Sequence, residues 1–138
     1  MGGYDRAMAN SGAPLSPRFH FRRRQRLAHA REFQAIFGAK VRRSRGPLTV
    51  FGRPNGMEHA RLGLSVGRRV GNAVTRNALK RRLREAFRLA QHALPKGFDF
   101  VVSAHPHEGA TAEDYGRWLG DAAAGVAREW ARREASSP

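Results

Sequence analysis

Cysteine is absent from the 138 residues. Its absence excludes disulfides, thiolate nucleophiles and cysteine-ligated zinc, and it suits a protein of the reducing cytoplasm. Acidic residues are scarce, 11 against 26 Lys and Arg, which leaves a formal charge of +15 and a pI near 11.8. No apolar run approaches the ~18 residues that a membrane span needs, so a membrane is not an expected partner. The stretch from Met1 to Pro17 is rich in Gly, Ala, Ser and Pro and has no signal-peptide apolar core. It is expected to be a disordered tail, with Met8 an alternative start.

What remains is a chain of single-domain length, 41% hydrophobic, able to build a modest core. A single domain over 18–134 is expected, followed by a short tail over 135–138. So large a charge on so small a body costs self-repulsion unless a polyanion neutralises it. The charge also lies in blocks. Arg18 to Arg45 holds ten basic residues and one acid, Glu32; Ala60 to Arg84 holds eight basic residues and no acid. From His105 to Pro138 the balance reverses, with six acids against four Lys or Arg. One part of the fold is built to meet a polyanion, and the C-terminal part mostly to pack.

Helical spacing of Phe33, Ile36 and Phe37 predicts a helix over about 28–37, stopped at Gly38. Leu48 to Phe51 reads as a strand, with Pro47 tolerated at its start. After the turn signal Pro54-Asn55-Gly56, Leu62, Leu64 and Val66 alternate as a second strand. A long helix is predicted over about 72–93, with an apolar stripe of Leu79, Leu83, Ala86, Phe87 and Ala90. Phe98, Phe100, Val102 and Ala104 alternate as a further strand. Thr111 with Asp114 resembles a capping box, and Tyr115, Trp118, Leu119, Ala122, Val126 and Trp130 recur at helical spacing, as core residues do. This order predicts an α+β sandwich, a small mixed sheet covered by one helical layer.

On the long helix, 100° spacing places Asn77, Lys80, Arg81, Arg84 and Arg88 on one arc beside the apolar stripe. Arg76 lies nearer the apolar edge, where a long side chain still reaches out. An ordinary solvated face pairs its cations with acids at i,i+4, yet Glu85 alone is at hand. Arg suits phosphate clamping and base stacking. The preceding turn, Gly67-Arg68-Arg69-Val70-Gly71-Asn72, adds two cations, and the helix start adds free N–H groups. Phe33 and Phe37 lie one helical turn apart, with Phe51 on the next strand. From spacing alone, ordinary core is the plainer account of all three, and stacking of unpaired bases is the alternative. His105 and His107 flank Pro106 without a third ligand, and Asp99 and Glu85 suggest no catalytic pair.

The stretch Arg61 to Arg88, RLGLSVGRRVGNAVTRNALKRRLREAFR, resembles the signature region of the bacterial ribonuclease P proteins. Arg76-Asn77 followed by Lys80-Arg81 and Arg84 carries the likeness. Arg26-Leu27, Phe33 to Phe37 and Leu48 to Phe51 resemble further parts, so the match spans about 22–104. The resemblance implies a ribosomal-protein-like sandwich with a left-handed strand–helix–strand crossover, although general rules favour the right hand. It implies that Arg68, Arg69, Arg76, Asn77, Lys80, Arg81, Arg82, Arg84 and Arg88 meet a catalytic RNA subunit. It places the single-stranded 5′ leader of precursor tRNA between the first helix and the sheet, at Phe33, Phe37 and Phe51, reversing the core-first reading of those rings.

One departure stands out: where the family reads Arg-Asn-Arg, this chain has Ala78, which helical spacing turns away from the apolar stripe. Arg82 or Arg68 could supply the missing cation. The resemblance further implies that the RNA is the catalyst with Mg²⁺ as its cofactor, that no catalytic or metal-binding residue lies in the protein, and that no other protein is required. A ribosomal or RNA-chaperone protein is the rival binder, and a protein-only nuclease the rival enzyme. Neither accounts for the Arg61–Arg88 stretch.

Overall fold

The computed structural model describes residues 25–27 and 29–136; the expected N-terminal tail lies outside them. Among the described residues, three α-helices and four strands follow in the order α1 (Ala30–Gly38), β1 (Arg42–Arg45), β2 (Leu48–Pro54), β3 (Arg61–Ser65), α2 (Ala73–Ala90), β4 (Phe98–Ala104) and α3 (Ala112–Ala135). The strands form one mixed sheet in the order β1-β2-β4-β3. β1–β2 and β2–β4 are antiparallel, while β3 and β4 run parallel and are joined through α2. The expected α+β sandwich is present.

Strand alternation divides the core into two parts. Leu48 and Val50 of β2, Leu62 of β3, and Phe100 and Val102 of β4 point to one face, where they meet Leu83 and Phe87 of α2 and Tyr115, Leu119 and Val126 of α3. Val101, one residue out of phase, points to the other face, against Leu27 and Ile36 of α1. The single helical layer expected from the sequence is therefore corrected to two, α2 and α3 on one face and α1 on the other. The reason is β4, whose consecutive residues Phe100, Val101 and Val102 are all fully buried. A strand of that kind needs cover on both faces.

β1, Arg-Arg-Ser-Arg, carries no apolar alternation and is not apparent in the sequence. Backbone pairing with β2 and a two-residue turn at Gly46-Pro47 create it. Gly46 has φ +54°, and a Cβ there would sit 2.5 Å from the Trp118 ring. At the far end, Thr111 Oγ1 accepts the Asp114 N–H at 3.1 Å and Asp114 accepts the Thr111 N–H at 3.2 Å, the capping box read from the sequence. The Trp130 indole N–H donates to the Gly52 carbonyl at 2.9 Å, fastening α3 to β2.

Asp99 of β4 has a structural role. It is 2% exposed and accepts both Arg61 Nε (2.8 Å) and Nη2 (2.7 Å), with Asn55 Nδ2 at 2.9 Å. Arg61 Nη1 also reaches Glu32 of α1 at 3.1 Å. The Asp99 hydrogen bond, and the charges of Asp99 and Glu32 with it, outweigh burial and hold the Arg61 guanidinium above its ordinary pKa.

Candidate nucleic-acid interface

The basic helix is well terminated at its start. Asn72 caps α2 by accepting the Thr75 N–H at 2.9 Å, after a short 3₁₀ turn over Arg68–Val70. Arg68, Arg69, Asn77, Arg81 and Arg82 are exposed, and Arg76, Lys80, Arg84 and Arg88 are half-buried along the helix flank. Arg88 pairs with Glu85, its Nε donating at 3.1 Å, so the one nearby acid is used up at the helix end. Among the described residues, Arg76, Lys80, Arg81 and Arg84 have no carboxylate partner. The Arg76 Nε is buried without a hydrogen-bond partner among the described residues.

Lys80 and Arg84 do not stand alone. They line a groove of about 120 Å³ at the β3 edge together with Arg26, Leu27, Phe33, Gly63 and Leu64. Arg26 reaches this position because its segment runs parallel to β3, with Leu27 N–H donating to the Leu62 carbonyl at 2.9 Å. Burial first, and then the Arg26 charge, push the Arg84 guanidinium below its ordinary pKa. Among the described residues no carboxylate lines this groove, and Lys80 and Arg84 give it a positive potential. Arg26 thus joins the residues expected at the interface; its signal was the basic run before α1, which does not specify where that run docks.

The three phenylalanines come together on the α1 face. All are half-buried around Leu27, Ile36 and Val101. The Phe37 and Phe51 rings meet edge to face, centroids 4.8 Å apart. The Phe33 ring lies over Gly63, where a Cβ would approach its Cζ to 2.6 Å. Arg42 on β1 sets its guanidinium 5.9 Å from the Phe51 centroid, a cation beside the aromatic surface that the sequence did not single out. Through Phe33 this surface is continuous with the groove at Lys80 and Arg84.

Ala78 departs from its expected place. It is half-buried and lines a groove of about 290 Å³ with Val74, Leu79, Arg82, His107 and Tyr115, because the segment after β4 folds over that side of the helix. Arg82 donates to the Ala110 carbonyl at 2.8 Å and so belongs to this flank, away from Lys80 and Arg84. His107 is held between the His105 carbonyl (2.7 Å) and the Tyr115 hydroxyl (2.6 Å), a structural role. Among the described residues no group of three metal-ligating side chains occurs, and no helix is long and apolar enough to cross a membrane.

Comparison with known proteins meets this geometry. The family model described as Ribonuclease P matches residues 21–122. The ribonuclease P protein component of Chromobacterium violaceum is 48% identical over 87 residues, covering 62% of this chain and 71% of the relative. That of Thermotoga maritima is 44% identical over 82 residues, covering 59% and 70%. The solved structure of the Thermotoga maritima protein superimposes with a TM-score of 0.60 at 37% identity, over 70% of this chain and 92% of that one. The Staphylococcus aureus protein gives 0.60 at 29% identity, over 75% and 94%. The chain belongs to the ribonuclease P protein family, the protein component of a ribonuclease that matures the 5′ end of tRNA.

Proposed function

We propose that this chain binds the catalytic RNA of ribonuclease P through α2 and the turn before it, and holds the single-stranded 5′ leader of precursor tRNA between α1 and the sheet. The observation that carries the reading is the run of Arg76, Lys80, Arg81 and Arg84, which have no carboxylate partner among the described residues, with Lys80 and Arg84 meeting Phe33 of the aromatic surface in one groove. Guanidinium groups clamp phosphates, and aromatic faces stack bases of any identity, which suits leaders of varied sequence. Arg68 and Arg69 extend the phosphate-binding side. Arg82 takes the flank where Ala78 leaves a cation missing, and Arg88 contributes at the helix end.

Hydrolysis is assigned to the RNA with Mg²⁺. A face this cationic repels divalent ions, whereas phosphate oxygens of the RNA and the scissile site attract them, where they stabilise attacking and leaving oxygens. The protein lowers the repulsion between the two RNAs and fixes the leader, so less Mg²⁺ suffices. Residues 18–134 act as one RNA-binding domain in the cytoplasm, with no further protein needed. Reconstitution of protein, catalytic RNA and precursor at low Mg²⁺ tests this. Leader removal should depend on all three components. Cleavage by the protein without RNA, or none by the complete mixture, would overturn it.

A further inference from the structure

We propose that Glu32, acting through Arg61 and Asp99, sets the opening of the cleft between α1 and the sheet and is a positioning residue for leader recognition; this rests on the leader-binding reading above. α1 has nine residues, and a helix that short is marginal in water unless something holds it. Its apolar anchorage is small: Leu27, Ile36 and Val101 are buried, and the three phenylalanines are half-covered. Glu32 supplies the polar tie. One carboxylate oxygen accepts the His29 N–H at 3.4 Å, closing the start of the helix, and the other meets Arg61 Nη1 at 3.1 Å.

Arg61 makes a stiff anchor. Its Nε and Nη2 are engaged side by side by Asp99, which Asn55 holds from a second direction. A planar guanidinium gripped on one edge has little freedom to follow a moving helix. Arg61 and Gly63 lie two residues apart on β3 and so share one face of the sheet. Glu32 and Phe33 are their respective partners on α1. An attractive tie thus sits beside a steric stop, the Phe33 ring against Gly63. Together they define how far α1 stands from the sheet, and hence how the Phe33 and Phe37 rings face Phe51. The larger core on the opposite face shares none of these contacts. Loosening Glu32 should therefore be felt in the cleft before it is felt in the fold.

The experiment uses the assembled holoenzyme with Glu32→Gln, Glu32→Ala and, as a control, Phe37→Ala. Affinities for precursor tRNA, mature tRNA and the catalytic RNA are measured beside the melting temperature. Glu32→Ala should weaken precursor binding about twofold to fivefold, the range of a partly exposed ion pair. Glu32→Gln, which keeps an acceptor oxygen, should lose less, and mature tRNA and catalytic RNA should bind as before. Unchanged precursor affinity in both Glu32 variants, with a loss in Phe37→Ala, would overturn the positioning role and leave the leader cleft standing. No loss in any variant would remove the cleft itself. Equal losses for all ligands, tracking a lower melting temperature, would reduce Glu32 to a support of the fold.

Discussion

The ring of Phe37 on α1 meets the ring of Phe51 on β2 edge to face, with 4.8 Å between centroids. The two residues come from elements on either side of the proposed leader path, and neither is fully buried. Each ring keeps some exposed surface while steadying the other.

Phe37→Ala should therefore weaken precursor binding by about fivefold to 150-fold, from about 1–3 kcal/mol per stacked base. Mature tRNA, which has no leader, should bind almost as before. The edge-to-face contact itself is worth about 0.5–1.5 kcal/mol, so a modest fall in melting temperature should accompany the change. Losses shared equally by both tRNAs would assign Phe37 to the core.

Combined replacement of Arg76, Lys80 and Arg84 by Ala should weaken holoenzyme assembly with the fold retained. If all three meet phosphates, the log–log salt slope should shrink by about two to three units. Salt titration of RNA affinity reads this directly. An unchanged slope with normal assembly would remove this helix face as the RNA contact.

Ala78→Arg should tighten binding to the catalytic RNA or leave it unchanged. The groove beside Val74, Leu79 and Tyr115 has room for the aliphatic stem, with the guanidinium emerging near Arg82. RNA affinity and a melting curve decide the outcome. Reduced stability with no gain in affinity would mean that this flank is packed around alanine.

Acid sensitivity should centre on Glu129. Hydrogen bonds from Arg132 and Arg133, with Arg43 of β1 contributing, hold its carboxyl at about 2 against an ordinary 4.5. A folded pKa below the unfolded one stabilises above the unfolded value, and that contribution is lost as pH falls from about 4.5 through 2. Glu129→Gln should flatten this part of the stability–pH curve and leave neutral-pH RNA binding in place. An unaltered acid limb would show that the carboxylate contributes nothing through titration.

Gly46→Ala should lower the melting temperature by several degrees. It pays about 1–2 kcal/mol for a side chain at positive φ, and its Cβ must also displace the Trp118 ring. Thermal denaturation checks it, and an unchanged midpoint would show that the β1–β2 turn and α3 yield freely.

Much of this protein was legible in its residues. The stripe Leu79, Leu83, Ala86 and Phe87 specified α2 and its buried side, because helix periodicity and burial share one period. Thr111 with Asp114 marked the start of α3, because a cap is local chemistry. The cations without nearby acids announced a polyanion, since charge sums without knowledge of the fold. What the residues could not announce was set by contacts distant in sequence. β1 has no pattern of its own and exists because β2 offers it a backbone edge. The second helical layer follows from the double-sided burial of β4, which a short apolar run does not distinguish from a buried helix segment. The Glu32–Arg61–Asp99 chain, the meeting of Arg26 with Lys80 and Arg84, and the partial covering of Ala78 each need elements tens of residues apart to be docked first. Local pattern fixes which face of an element is apolar or charged, and only tertiary packing decides which of those faces meet.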